Sequence, residues 1–164
     1  MKTLTLLRHA KSSWTRPGLA DHDRPLNERG ERDTPLMARR LTDAGIRPSL
    51  ILSSTATRAL STARILAREI GYPAEFLQRD AGLYLASRQS LIDVISEQDN
   101  GFNSIVIVGH NPGLTELADF LVPGITDNIP TCGFFCVSLD ADDWNLRAAR
   151  SIELYRYDFP KNAE

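Results

Sequence analysis

The sequence predicts an α/β domain of three layers, α/β/α, around a mostly parallel central sheet. Three observations carry this. Short apolar runs alternate along the chain with stretches of helical periodicity. One of those runs, Ser104-Ile-Val-Ile-Val108, is continuously β-branched, the composition of a strand buried on both faces. Finally, 164 residues with 42% apolar content suffice for a single domain, spanning 1–164, with one sizeable core.

Taken in order, Thr3 to Leu7 is an apolar, strand-tolerant run that stops at Arg8-His9, and it reads as the first and central strand. Residues 11–26 are rich in Ser, Pro, Gly and Asp and read as a long loop. Asn27 is a good N-cap, and Gly30, Met37, Leu41 and Ala44 follow at helical spacing until Gly45. Pro35 lies inside that pattern, so the helix is either kinked there or begins later, near Asp33. Leu50 to Ser53 is a second buried strand. The stripe Ala59, Thr62, Ala63, Leu66 and Ile70 then marks a helix closed by Gly71. Residues 74–86, with Glu75, Asp80 and Tyr84, read as an extended edge segment. Leu91, Val94 and Ile95 mark a short helix ended by Asn100-Gly101, and residues 115–122 another. Residues 134–139 and 151–157 read as two strands paired as a hairpin on one side of the sheet.

Composition excludes several classes. A net charge of −2 and a pI near 5.9 give no global basic field for nucleic acid or an anionic membrane, so any anion site must be local. No apolar run approaches the ~20 residues of a membrane helix. The apolar run at the start is too short for a signal peptide. Cys132 and Cys136 fall in a segment that reads as strand, where four residues span about 13 Å, beyond disulfide reach. Both are therefore expected to be reduced, in a cytoplasmic protein. His22, between Asp21 and Asp23, has no second cluster to complete a metal site and reads as a loop-anchoring residue.

Three predicted strands end in a charged or imidazole-bearing turn: Arg8-His9, the stretch from Ser53 to Arg58, and Gly109-His110. Open α/β sheets hold ligands at the carboxyl ends of their strands, so a parallel sheet would bring all three together. Two arginines and two histidines around one pocket suit a phosphoryl group, because guanidinium forks bind its oxygens and an imidazole can attack it. Gly109 and Gly113 would let backbone approach closely. Arg58 falls in the first turn of its helix, where a cation opposes the dipole by ~0.3–1 kcal/mol, an exception of the kind functional sites produce. Singly, the residues have plainer readings: His110 as a turn residue, and Arg58 as a surface partner of Glu69 or Asp80.

Leu7-Arg8-His9-Ala10, Ser53-Ser54-Thr-Ala-Thr-Arg58-Ala59-Leu-Ser-Thr62-Ala63 and Val108-Gly109-His110-Asn111-Pro112 resemble, in order, the three motifs of the histidine phosphatase superfamily, with its phosphoglycerate mutase-like fold. Within it, Arg8 to Trp14, Arg24-Pro25-Leu26-Asn27-Glu28-Arg29-Gly30 and Gly109 to Gly113 resemble the small SixA-type phosphohistidine phosphatases. The resemblance implies that His9 is the nucleophile and is transiently phosphorylated, with water completing hydrolysis. It implies a phosphate pocket of Arg8, Arg58 and His110, with Ser12, Gly109 and Asn111 as further substrate-binding candidates and no metal or cofactor. One departure stands out. Many members carry an acidic proton donor after the second motif, but here the region reads Gln78-Arg79-Asp80-Ala81-Gly82-Leu83-Tyr84. Asp80 and Asp21 are the candidate acids, with Glu75 and Asp23 behind them. A missing acid favours a labile P–N bond over an alkyl phosphate, since an alkoxide needs a proton donor to leave. The expectation is a metal-independent phosphatase acting on phosphohistidine in a signalling protein. Its rivals are a phosphomonoesterase for small phosphorylated molecules and a phosphate- or phosphohistidine-binding module without turnover.

Overall fold

The structure, a computed structural model, describes residues 1–162. Its strands are β1 (Lys2–Arg8), β2 (Leu50–Ser53), β3 (Gln78–Arg79), β4 (Ser104–Gly109), β5 (Phe134–Asp140) and β6 (Ser151–Asp158). They form one sheet in the order β3-β2-β4-β1-β5-β6. The first four strands are parallel, and β5 and β6 run antiparallel as a hairpin beside β1. Helices α1 (Glu28–Asp43), α2 (Thr57–Ile70), α3 (Arg88–Ser96) and α4 (Gly113–Leu121) cover both faces.

The layering follows from the two-residue period of a strand, which sends successive side chains to opposite faces. Leu4, Leu6, Ile105 and Ile107 pack with Leu91 and Ile95 of α3 and Leu114 and Leu117 of α4. The alternate positions Leu7, Val106 and Val108 pack with Met37 and Leu41 of α1 and Ala59, Ala63 and Leu66 of α2. The predicted α/β/α sandwich with a mostly parallel sheet is what the chain forms. Among the described residues, no helix is long and apolar enough to cross a membrane.

Local detail departs from expectation where side chains override pattern. α1 starts at Glu28 and runs through Pro35, because Asn27 accepts from the Gly30 N–H at 2.9 Å and closes the first turn. The edge segment 74–86 is strand only at Gln78–Arg79 and otherwise forms 3-10 turns at Ala74–Phe76 and Ala81–Leu83. Asp80 bends it by accepting the Gly82 N–H at 2.8 Å, which turns Leu83 into the core. Cys132 lies before β5, not in it, with φ at +62°. Its N–H is shared by the carbonyls of Arg8 and His9, which fixes the end of β1. Both cysteines are free and buried.

Geometry requires glycine at several positions, Gly71 and Gly113 among them. Gly71 closes α2 at φ +77°, in the left-handed region. At Gly113, the start of α4, a Cβ would stand 2.0 Å from the carbonyl oxygen of Ala86, which is backbone and cannot swing aside. We therefore expect Gly113→Ala to lower stability by about 3 kcal/mol, as overpacking does. Thermal unfolding measures this, and an unchanged midpoint would mean that the segment around Ala86 yields freely.

Candidate active site

Strands β2, β4 and β1 are neighbours, so the turns that follow them lie side by side at one edge of the sheet. Arg8 is in register with Gly109, and Ser53 with Val108. Backbone hydrogen bonds fasten the turns together: His9 N–H donates to the Gly109 carbonyl at 3.0 Å, and Ser54 N–H to the Val108 carbonyl at 2.9 Å. Thr62 of α2 accepts from the Ala10 N–H at 2.9 Å and donates to the Arg58 carbonyl at 2.8 Å. This explains why the Thr sits one turn beyond the Arg: it ties the chain after His9 to the helix that carries Arg58.

The four residues singled out from the sequence converge. The His9 and His110 rings have centroids 5.2 Å apart, and the Arg58 Nε–H points at His9 Nε2 from 3.4 Å. His9 Nδ1 lies 2.8 Å from the Ala10 carbonyl. A carbonyl can only accept, so Nδ1 carries the proton and Nε2 presents its lone pair. Burial, opposed by the Ala10 hydrogen bond and reinforced by Arg58, Arg8 and Arg24, pulls the His9 pKa to about 4. His110 is drawn to about 3 by burial, then by His9 and Arg58. Both rings are neutral at pH 7.

His110 Nε2 lies 2.8 Å from the Ser54 hydroxyl, while its Nδ1 is buried without a partner. Ser54 Oγ already accepts from the Ala56 N–H, which leaves its own proton for His110 Nε2. In that arrangement Nδ1–H is an unused donor in the site. Arg8 donates from Nη1 to the Ile129 carbonyl at 2.9 Å, and its buried Nε also has no partner. These two unsatisfied groups call for an acceptor.

The other candidates are placed less uniformly. Ser12 accepts from Arg24 at 2.7 Å. Asn111 donates to the Ile129 carbonyl at 2.9 Å and accepts from Thr115, holding the turn that bears His110. Gly109 offers its carbonyl to His9. Asp80 uses its carboxylate to cap Ala81–Leu83. Asp21, 37 residues before Arg58, is instead in the cluster: its Oδ2 lies 3.0 Å from Arg58 Nη2 and accepts from the Tyr84 hydroxyl at 2.5 Å. That pairing replaces the surface partners Glu69 and Asp80 considered for Arg58. Tyr84, above all, with Arg58 and Arg24 holds the Asp21 carboxyl at about 2.

Sequence reasoning missed Tyr84 and His22 as members of this cluster. Tyr84 packs edge-on against both His110 and His22, and His22 bonds Thr55 Oγ1 at 2.9 Å. Neither belongs to a spaced motif, and only the 3-10 turn at Ala81–Leu83 swings Tyr84 inward. Among the described residues, no group of three His, Cys, Asp or Glu side chains could hold a metal ion.

Residues 4–81 match the sequence profile of the histidine phosphatase superfamily (branch 1). A chloroplastic protein of Arabidopsis thaliana is 33% identical over 160 residues, covering 92% of this chain and 72% of that protein. The chain belongs to the histidine phosphatase superfamily. SixA from Agrobacterium tumefaciens superposes with a TM-score of 0.80 at 28% identity, over 97% of this chain and 98% of its own. The protein histidine phosphatase SixA complexed with tungstate also gives 0.80, at 20% identity over 96% and 97%, a likeness of fold. This histidine phosphatase is therefore of the SixA type. The superfamily comprises phosphatases and mutases. The profile match ends before His110, so the third turn enters the site through the sheet geometry above.

Proposed function

We propose that this histidine phosphatase removes the phosphoryl group from phosphohistidine on a protein, with His9 as nucleophile. The observation that carries this is the hydrogen bond from His9 Nδ1–H to the Ala10 carbonyl, which leaves a neutral Nε2 lone pair beside Arg58. Nε2 attacks phosphorus, and the bond from phosphorus to the substrate's imidazole nitrogen breaks. The departing imidazole takes a proton from water, leaving hydroxide. That hydroxide attacks phosphorus, the bond to Nε2 breaks, inorganic phosphate leaves and the lone pair returns. Arg8, Arg58 and the unpartnered Nδ1 of His110 neutralise the phosphoryl oxygens, which is the main demand of phosphoryl transfer.

The choice of a P–N over a P–O bond rests on proton supply. Asp21 is ionised, held at about 2, so it offers no proton at neutral pH, and the Asp80 carboxylate is spent capping Ala81–Leu83. An alkoxide would leave poorly here, whereas an imidazole leaves readily. Support for a protein substrate comes from Trp14 and Leu85, which are 73% and 55% exposed. Trp14 stacks on Arg24, and Leu85 follows Tyr84, so both are apolar surface next to the cluster.

The test is phosphate release from a phosphohistidine peptide, an aryl phosphate and an alkyl phosphate. We expect kcat/KM for the peptide to exceed that for the alkyl ester by about 100-fold, the low end of what a general acid contributes. Equal turnover of the alkyl ester would put a phosphomonoesterase in its place. Binding of the peptide without release would make the protein a reader of phosphohistidine.

A further inference from the structure

We propose that the Asp21 carboxylate is a resident anion: it holds Arg58 Nη2 until the substrate's phosphoryl oxygen displaces it. This rests on reading the pocket as a phosphoryl site.

Arg58 is only 3% exposed, so its guanidinium must find partners inside the protein. All three nitrogens do. Nε reaches His9, Nη1 donates to the Asp21 carbonyl at 2.7 Å, and Nη2 donates to Asp21 Oδ2 at 3.0 Å. The carboxylate gathers further donors: Tyr84 on Oδ2, and Nε and Nη2 of Arg24 on Oδ1 at 3.2 Å each. Three guanidinium N–H donors from two arginines, with a phenol, around two oxygens are what a phosphate would recruit.

The group is also built to move. Asp21 belongs to no strand or long helix, but to the 3-10 turn Asp21–Asp23 within the loop that follows β1. Its side chain is 43% exposed, so water can receive the carboxylate when it leaves. The bond from Arg58 Nη1 goes to the backbone carbonyl of Asp21, not to its carboxylate, and can persist, keeping Arg58 in place during the exchange. A fixed carboxylate on the same guanidinium would repel a second anion, so the two cannot share Arg58 Nη2.

Displacement sets a threshold for occupancy. An anion that brings only its phosphoryl oxygens must evict Asp21 unaided. A protein-borne phosphohistidine brings additional contacts and meets that threshold more easily. Inorganic phosphate, the product, is held off and released. Asp21 thus acts as a specificity-determining and product-releasing residue, and not as the proton donor that its acidity first suggests.

The experiment is calorimetric titration of inorganic phosphate into the parent protein, Asp21→Asn and Asp21→Ser at fixed ionic strength, with kcat and KM on a phosphohistidine peptide. Both substitutions should tighten phosphate by about tenfold and deepen product inhibition in proportion. In the Arg58→Ala background the same substitutions should change phosphate affinity by less than about twofold, because the contested donor is gone. The serine variant reports the result if asparagine disturbs the fold. Unchanged or weaker phosphate binding in both variants overturns the proposal and makes Asp21 a simple holder of Arg58. A large loss of kcat with phosphate affinity unchanged overturns it in favour of a proton donor. Phosphate affinity is read independently of turnover, so a protein that binds phosphate but spares phosphohistidine would refute the proposed function alone.

Discussion

His9→Ala should abolish phosphate release from every substrate, with kcat/KM expected to fall by at least ~10⁴-fold, the order for removal of a catalytic nucleophile. No neighbour can stand in. His110 Nε2 is engaged by Ser54, and Arg58 carries no lone pair for attack. The substitution should leave inorganic phosphate bound, since Arg8, Arg58 and His110 remain. Residual turnover near the parent's would remove His9 from the mechanism. The pH dependence gives a second reading of the same ring. Folding lowers the His9 pKa from its ordinary 6.5 to about 4, so between those values the unfolded chain binds more protons than the folded one. Stability from keeping this ring neutral is fully present above pH 6.5 and is lost as pH falls towards 4. His110, lowered to about 3, acts in the same sense, and Asp21 extends the loss from 3.8 to about 2. The melting temperature of His9→Ala should therefore vary less with pH between 6.5 and 4 than the parent's. In the parent, ring-resonance titration should show His9 still neutral at pH 5.5 or so.

Much of this was legible in the chain, for reasons that differ by residue. Runs such as Ser104 to Val108 can only be buried strands, and three strands ending in functional turns point to one edge once the sheet is parallel. Arg8 ends β1, and His9 and His110 follow β1 and β4 directly, so the sheet's register fixes them, while Arg58 is signalled by its place in the first turn of α2. Tyr84 and His22 carry no such signal, and Asp21 is legible only as a candidate acid, not as the partner of Arg58. They sit on 3-10 turns or loops, and what brings them in is a set of long-range contacts, such as Tyr84 to Asp21 across 63 residues. Periodicity carries no information about such contacts. Cys132 is a smaller case: apolar neighbours suggest strand, but its N–H goes to the carbonyls ending β1, and the backbone turns left-handed to deliver it. Pro35 shows the converse, since a well-capped first turn carries α1 through a residue that ordinarily interrupts helices.

Arg58→Ala should lower kcat/KM by ~10³-fold or more, the order contributed by a guanidinium aimed at a transferring phosphoryl group. The loss should appear in both kcat and KM, because Arg58 reaches the nucleophile through Nε and the anion position through Nη2. Arg58→Lys should recover little of it. A single ammonium cannot serve His9, the Asp21 carbonyl and an incoming oxygen at once, as the three guanidinium nitrogens do. Stability should respond far less than catalysis. Asp21 is 43% exposed on its side chain, so once unpaired it is rehydrated, and Tyr84 and Arg24 still hold it. A separation of the two readouts is thus the signature of a catalytic arginine. If chemical denaturation shows the folded state lost along with activity, Arg58 is a strut between α2 and the Asp21–Asp23 turn. If folding persists and added guanidinium restores turnover to the alanine variant, the fork itself carries the chemistry.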